Sequence, residues 1–200
     1  MERVERLVPP RIQNPERRLV AEYAATKLAA YVVFMNMPLG PGLEEERFTP
    51  RRAQTARALR GWRPAVDALA ILAPPAEIRL EHQGRLLVVA AAPPGATVLL
   101  IEGKILEMLD GMAKLPFYAK LVPKTPELQG LADATIRMRL VTPRPRPWLE
   151  PVAAEFGIEL DYFEPEWIRD YWDWRDGYWS REYRIQREEI LRARRRLGLG

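Results

Sequence analysis

The sequence predicts an α/β domain with a mixed central sheet flanked by helices. Apolar runs of strand length recur along the chain, segments with helical spacing of apolar residues lie between them, and Pro or Gly residues separate the two. Strands that alternate with helices usually join into one sheet covered by those helices. The chain has 200 residues, which is enough for one domain with a substantial core.

In the first half, Asn14 followed by Pro15 is typical of a helix start, and Leu19 and Tyr23 continue at helical spacing. Thr49 followed by Pro50 marks a second start in the same way. The predicted elements of this half are a helix over 15–30, a strand over 31–37, a helix over 49–59, a strand over 65–72 and a hairpin over 77–90.

In the second half, the predicted elements are a strand over 97–105, a helix over 111–122, a strand over 135–141, a helix over 147–157, a strand over 158–163 and a short helix after Pro165. Pro116 fits the helix only if it begins near Met112 or Ala113, where the missing amide has no partner to lose. These elements predict an N-terminal arm over 1–14, a domain over 15–170 and an extension over 171–200.

The amino-acid composition excludes several kinds of functional site. The chain contains no Cys and one His, His82, which excludes disulfides, thiolate metal sites and His clusters. His82 lies in "EHQGR", which reads as a hairpin turn. The net charge of +4 permits a polyanionic partner. The apolar stretches are broken by Pro and Gly, and the start, "MERVERLVPPR", is charged, so we expect a soluble intracellular protein without a membrane partner.

Charged residues stand at the ends of two of the most apolar strands. Glu102 and Lys104 follow "TVLLI" and project from the same face of their strand, because alternate residues of a strand share a face. Asp67 stands near the start of "AVDALAIL". Two carboxylates can hold Mg²⁺, which polarises a phosphodiester and lowers the pKa of its water, while a lysine stabilises developing negative charge. The pattern therefore predicts metal-assisted phosphodiester chemistry.

These residues also carry a resemblance. The Asp…Glu-x-Lys pattern on consecutive strands, a helix with Leu115 and Tyr118, and the segments "NPERRL", "RMRLVTP", "AAEFGIELDYF" and "PEWI" resemble the PD-(D/E)xK nuclease superfamily, in particular small stand-alone members encoded by tailed bacteriophages. The resemblance spans about residues 9–170. It implies a restriction-endonuclease-like fold that hydrolyses DNA with Mg²⁺ or Mn²⁺. The extension after this fold is predicted to be helical and rich in aromatic residues and Arg.

By this resemblance, Asp67 and Glu102 would bind the metal and Lys104 would be the catalytic lysine. Glu22 or Glu16 on the first helix could be an accessory acid, and Glu77 or Glu81 could replace a metal ligand. The family's helix motif usually begins with Gln, whereas Lys114 stands at that place before Tyr118. Both residues are accessory candidates.

The extension offers a second function. The segment from Pro165 onward, which includes the extension, holds four of the six Trp residues among Tyr and Arg residues. Such residues bind nucleic acid, but they are also enriched at protein interfaces, and the neighbouring acids would repel phosphate. The alternative is therefore a structural protein of a phage particle, such as a neck, connector or head-completion component. It would assemble as a homo-oligomer or with other phage proteins, in the virion rather than the host cytoplasm. The candidate contact residues are Trp172, Trp174, Trp179, Arg192, Arg194, Arg195 and Arg196.

Overall fold

The computed structural model describes residues 14–41, 63–83 and 86–178, with a few further positions between 185 and 196. The chain divides into two compact units, one formed by residues 15–163 and a second that includes the chain from Glu164 onward. The predicted helix over 49–59 and nearly all of the predicted N-terminal arm lie outside the described residues.

The first unit contains three α-helices and seven strands among its described residues, and the second contains one α-helix. In chain order they are α1 (Pro15–Lys27), β1 (Val32–Pro38), β2 (Ala65–Leu72), β3 (Arg79–Gln83), β4 (Leu86–Ala91), β5 (Thr97–Gly103), α2 (Met108–Leu121), β6 (Thr135–Thr142), α3 (Leu149–Glu155), β7 (Ile158–Tyr162) and α4 (Trp167–Tyr178).

Five strands form one mixed sheet in the order β1-β2-β5-β6-β7. The first three are antiparallel neighbours, whereas β5, β6 and β7 run parallel. The central strands β2 and β5 are buried along most of their length, as expected for nearly continuous apolar runs covered on both faces. The predicted α/β class with a mixed sheet flanked by helices is therefore confirmed.

Helices α1 and α2 cover opposite faces of β5. Leu100 belongs to the same buried cluster as Leu115 of α2, whereas Gly103, on the other face by strand alternation, approaches Val20 of α1. A Cβ atom at Gly103 would lie 2.3 Å from Cγ2 of Val20. The absence of a side chain at Gly103 thus lets α1 pack directly on the end of β5.

Helix α2 begins earlier than its sequence suggests. It starts at Met108 rather than Gly111, so Pro116 lies inside the helix and the expected start near Met112 or Ala113 is wrong. Met108, Met112 and Leu115 form one buried side of the helix. Burial of this side offsets the hydrogen bond that Pro116 cannot donate.

The remaining predicted strands are confirmed within a few residues. Helix α1 ends at Lys27, three residues before its expected end. The helix after Pro165 is longer than expected and reaches Tyr178. The residues between β2 and β5 form the predicted hairpin, but His82 lies in β3 opposite Leu87 and not in the turn. The pairing of β3 with β4 continues as far as Gln83, which lies opposite Leu86.

The hairpin approaches the segment before β6 through Gly130. This residue lies in the 3-10 segment Pro126–Leu131, and a Cβ atom there would stand 2.5 Å from the carbonyl oxygen of Val89 and 2.7 Å from the amide nitrogen of Ala91. Both neighbours are backbone atoms of β4, which cannot move as a flexible side chain can.

We therefore expect Gly130→Ala to lower the free energy of unfolding by about 1–3 kcal/mol, because the added methyl group overpacks two backbone segments. Denaturant unfolding followed by circular dichroism measures this change. Gly95→Asn is the control, since Gly95 has open space around its Cβ position and a φ of +74° that Asn tolerates. Equal losses in the two variants would contradict the packing explanation.

Candidate active site

Asp67 and Glu102 meet at the end of two neighbouring strands. Ala68 of β2 pairs with Ile101 of β5, so the next step of the antiparallel register sets Asp67 opposite Glu102. The amide of Asp67 donates to Oε1 of Glu102 at 3.3 Å, and the amide of Gly103 donates to Oδ2 of Asp67 at 3.0 Å. Each carboxylate therefore binds the backbone of the other strand, which fixes both side chains.

Lys104 completes this centre from the residue that follows β5. Its amide donates to the carbonyl oxygen of Val141 at 2.9 Å, which continues the pairing with β6. Its Nζ atom lies 3.0 Å from Oε2 of Glu16, 3.5 Å from Oδ2 of Asp110 and 4.0 Å from Oε2 of Glu102. The structure thus brings together Asp67, Glu102 and Lys104, the three residues expected to carry the chemistry.

Helix α1 supplies Glu16, one of its two candidate accessory acids. Besides its contact with Lys104, Glu16 accepts a hydrogen bond from the amide of Ile105 through Oε1 at 3.4 Å. Glu22 instead forms an ion pair with Arg18 at 2.7 Å. The close packing of α1 at Gly103 sets the first turn of the helix beside Lys104 and leaves Glu22 more than one turn further along.

Helix α2 supplies a further acid that the sequence reasoning missed. Asp110 accepts a hydrogen bond from Lys114 at 2.6 Å and also contacts Lys104. The spacing of four residues between Asp110 and Lys114, just after the Glu-x-Lys pattern, is the signal that could have identified it. Gly111 permits this approach, since a Cβ atom there would lie 2.9 Å from Cγ of Lys104.

Both accessory candidates on α2 face the centre, in different ways. Lys114 donates a hydrogen bond to Asp110, which in turn contacts Lys104. Tyr118 is buried, and burial raises the pKa of its hydroxyl to about 12, with further contributions from the charges of Glu102, Asp67 and Asp110. The hydroxyl of Tyr118 therefore stays protonated at physiological pH and can serve as a hydrogen-bond donor.

The surroundings of Asp67 and Glu102 do not fully compensate the negative charge of the two carboxylates. Burial, followed by the charge of Asp67, raises the pKa of Glu102 to about 7. Burial also raises the pKa of Asp67, and its hydrogen bond from Gly103 only partly opposes this. For Lys104, burial favours the neutral amine, but Glu16, Glu102 and Asp67 outweigh it and raise the pKa. Lys104 is thus held as an ammonium ion beside an acid that is poorly stabilised in its charged form.

The donor set suits a magnesium-type ion. Asp67 and Glu102 each use one oxygen for a backbone amide, which leaves Oδ1 and Oε2 without a hydrogen bond in the described part of the chain. Mg²⁺ is commonly held by one or two carboxylates, with water and substrate phosphate as its other ligands. The described residues contain no group of three or more acidic or His side chains that could hold a metal. Among the described residues, this centre therefore offers two carboxylates, a number compatible with Mg²⁺.

The alternative acids of the hairpin lie elsewhere. Glu77 ends an exposed 3-10 turn, and Glu81 is an exposed residue of β3 that pairs with Arg79 at 3.0 Å. Neither is at the register position that faces Glu102, which Asp67 occupies. Asp67 and Glu102 are therefore the pair of acids that the sheet brings together.

A second polar network, which no sequence pattern indicates, connects α1 to β6 and β7. Tyr23 is fully buried and donates to Oδ2 of Asp161 at 2.7 Å, while Arg139 donates to the Tyr23 hydroxyl at 2.6 Å. Arg139 also pairs with Glu159, which is its neighbour in the parallel register. The buried Tyr and paired Arg anchor α1 on the sheet, and α1 in turn positions Glu16.

The candidate contact residues of the C-terminal extension are only partly described. On α4, the rings of Tyr171 and Trp172 pack edge to face with centroids 5.6 Å apart, and the guanidinium of Arg175 lies 5.7 Å from the centre of the Trp172 ring. Exposed side chains are found at Arg192, Arg195 and Arg196, and Arg192 pairs with Glu188. The Trp174 side chain, Trp179 and Arg194 lie outside the described part.

The sequence matches no family of known proteins, no curated protein and no solved structure. Within the described ranges, none of the helices combines the length and the apolar character that a membrane span requires. The interpretation of the site therefore depends on its own geometry and charge.

The raised pKa of Glu102 predicts a pH-dependent stability. Between about pH 5 and about pH 8 in metal-free buffer, the unfolded chain releases the Glu102 proton before the folded chain does. The stabilising contribution of this group is complete below its ordinary pKa and is lost as the pH rises through about 7. The wild type should thus lose about 1–3 kcal/mol of unfolding free energy relative to Glu102→Gln over this interval.

Urea unfolding at the two pH values measures the effect. The exposed Glu81→Gln is the matched control and should follow the wild type at both pH values. Parallel behaviour of the wild type and Glu102→Gln would contradict the raised pKa.

Proposed function

We propose that this protein is a divalent-metal-dependent nuclease of the PD-(D/E)xK type that hydrolyses phosphodiester bonds in DNA. The observation that carries the proposal is the meeting of Asp67, Glu102 and Lys104 at the ends of β2 and β5. The element order supports a restriction-endonuclease-like fold: helix α1 precedes three antiparallel sheet strands, and α2 then leads to the parallel strand β6.

Asp67 and Glu102 would hold Mg²⁺ or Mn²⁺ through the carboxylate oxygens that the backbone amides do not use. When bound, such an ion polarises the phosphodiester and lowers the pKa of a coordinated water. It would also stabilise the charged form of Glu102, whose pKa is raised by burial and then by the charge of Asp67. The buried carboxylate pair is thus the reason to propose a divalent ion at this site.

Lys104 would act by electrostatics rather than as a base. Its acidic neighbours raise the pKa of its side chain, so Nζ carries three protons and can donate to a phosphate oxygen or to the attacking water. Glu16 and Asp110 hold this ammonium group at 3.0 Å and 3.5 Å, which limits its reorganisation during the reaction. The two acids are therefore proposed as positioning residues.

Cleavage of plasmid and linear DNA in the presence of Mg²⁺ or Mn²⁺ tests this function. The wild type should cleave, and Glu102→Gln and Lys104→Ala should each reduce the rate by about 100-fold or more, because each removes charge stabilisation of the transition state. The control variants Glu81→Gln and Lys27→Ala alter exposed residues of the same types and should retain the wild-type rate. Equal rates in all variants, or cleavage that persists in EDTA, would contradict the proposal.

One observation favours a second function, in which the same fold is a structural component of a phage particle. Glu102 is 3% exposed and Lys104 is 8% exposed, so the centre is largely closed. A closed ion-pair cluster can serve the fold alone. In that case the C-terminal extension would be the assembly interface, with its aromatic residues and Arg residues as the contacts.

Light scattering on the full chain and on a chain that ends at Asp170 tests the structural alternative. If the extension assembles the particle component, the full chain should be oligomeric and the shortened chain should be smaller than the truncation alone explains. An unchanged oligomeric state after truncation, with metal-dependent cleavage intact, would exclude the structural alternative and favour the nuclease.

A further inference from the structure

The outer side of α2 exposes an apolar stripe, defined by Leu109, Ala113 and Phe117. These residues are four positions apart and share one side of the helix. Leu109 is 61% exposed and Phe117 is 55% exposed, whereas the opposite side of α2 is buried in the core. Isolated exposed apolar residues are ordinary, whereas Leu109 and Phe117 together form a small apolar patch on one side of the helix.

The apolar stripe begins at the candidate active site. Asp110, which contacts Lys104 at 3.5 Å, follows Leu109 directly, and Lys114 follows Ala113. From Leu109 to Phe117 the helix rises by about 12 Å. The first residue of the apolar stripe is therefore adjacent in sequence to an acid of the candidate site, and the stripe leads away from that site along α2.

Two lysines lie near the C-terminal end of the apolar stripe. Lys120 follows Phe117 by three positions and lies on the same side of α2, Lys124 ends the 3-10 turn Val122–Lys124 that follows the helix, and both are exposed. Among the residues that the structure describes, neither has an acidic side chain as an ion-pair partner. The acids on this surface, such as Asp110, lie at the beginning of α2 beside the candidate site. The stripe thus offers apolar contacts followed by two available cations.

We propose that the apolar stripe and its two lysines hold a single-stranded segment of the nucleic acid whose scissile phosphodiester lies at Lys104. The inference rests on the proposed nuclease function and adds the form of its substrate. Unpaired bases present flat faces that stack on an aromatic ring such as Phe117, and the phosphates between them bind lysines. A duplex keeps its bases stacked on each other and offers only its backbone to the lysines.

The positive charge of this surface favours a nucleic-acid strand over a second copy of the chain as its partner. A second copy of the chain carries a net charge of +4, which disfavours its approach to a surface that ends in two lysines. A nucleic-acid strand provides apolar base faces for the stripe and anionic phosphates for the two lysines. The same surface therefore fits a single strand better than it fits another copy.

Fluorescence anisotropy of a labelled oligonucleotide, single-stranded and as the matching duplex, tests this inference with the full chain in EDTA. The single strand should bind more tightly than the duplex, and Phe117→Ala should weaken its binding by about 10-fold. Phe156→Ala is the matched control, because Phe156 is 57% exposed and follows α3 rather than α2. It should change the affinity by less than about 2-fold.

Replacing Lys120 and Lys124 together by Gln should reduce the slope of log Kd against log salt by roughly 1.4, since each lost phosphate contact contributes about 0.7 for a single strand. Equal effects of Phe117→Ala and Phe156→Ala, an unchanged salt slope, or equal affinity for the duplex would overturn the inference. So would a dimer in light scattering that only Phe117→Ala dissociates.

Binding in EDTA requires no cleavage, so the two proposals fail separately. Binding at the stripe without metal-dependent cleavage would remove the nuclease function and leave the nucleic-acid surface. Cleavage that Phe117→Ala leaves unchanged, together with unchanged binding, would remove the surface alone.

Discussion

The buried pair of Asp67 and Glu102 is the constraint around which the rest of the first unit is arranged. Two carboxylates that face each other across antiparallel strands repel, and burial strengthens this repulsion. The fold tolerates them because each accepts a backbone hydrogen bond from the opposite strand and because Lys104 lies beside them. This partial compensation is costly for a purely structural cluster, but it suits a site that binds a cation.

The two helices serve this centre from opposite faces of the sheet. Helix α1 reaches it because Gly103 has no side chain, and the Tyr23 network with Arg139 and Asp161 keeps the helix in place. Helix α2 reaches it because Gly111 allows contact with Lys104. Close packing at two glycines thus delivers an acid from each helix to one ammonium group.

Much of this arrangement follows from sequence patterns, and the remainder depends on packing. The apolar runs of β2 and β5 and their period of two place Asp67, Glu102 and Lys104 at strand ends, so their meeting could be predicted. The sequence does not predict that Glu16 rather than Glu22 reaches the centre, because this depends on the position of α1 along the sheet. The contact of Asp110 with Lys104 is not predicted either. Burial of Met108 and Met112 makes α2 begin earlier than Pro116 suggests, and this places Asp110 in the helix.

The central claim is that the two carboxylates form a divalent cation site, and titration calorimetry with Mn²⁺ tests it most directly. The account predicts one ion bound per chain in the wild type, strongly weakened binding in Asp67→Asn and Glu102→Gln, and retained stoichiometry in the control Glu22→Gln. Binding that is equal in all four proteins, or absent from the wild type, would contradict it.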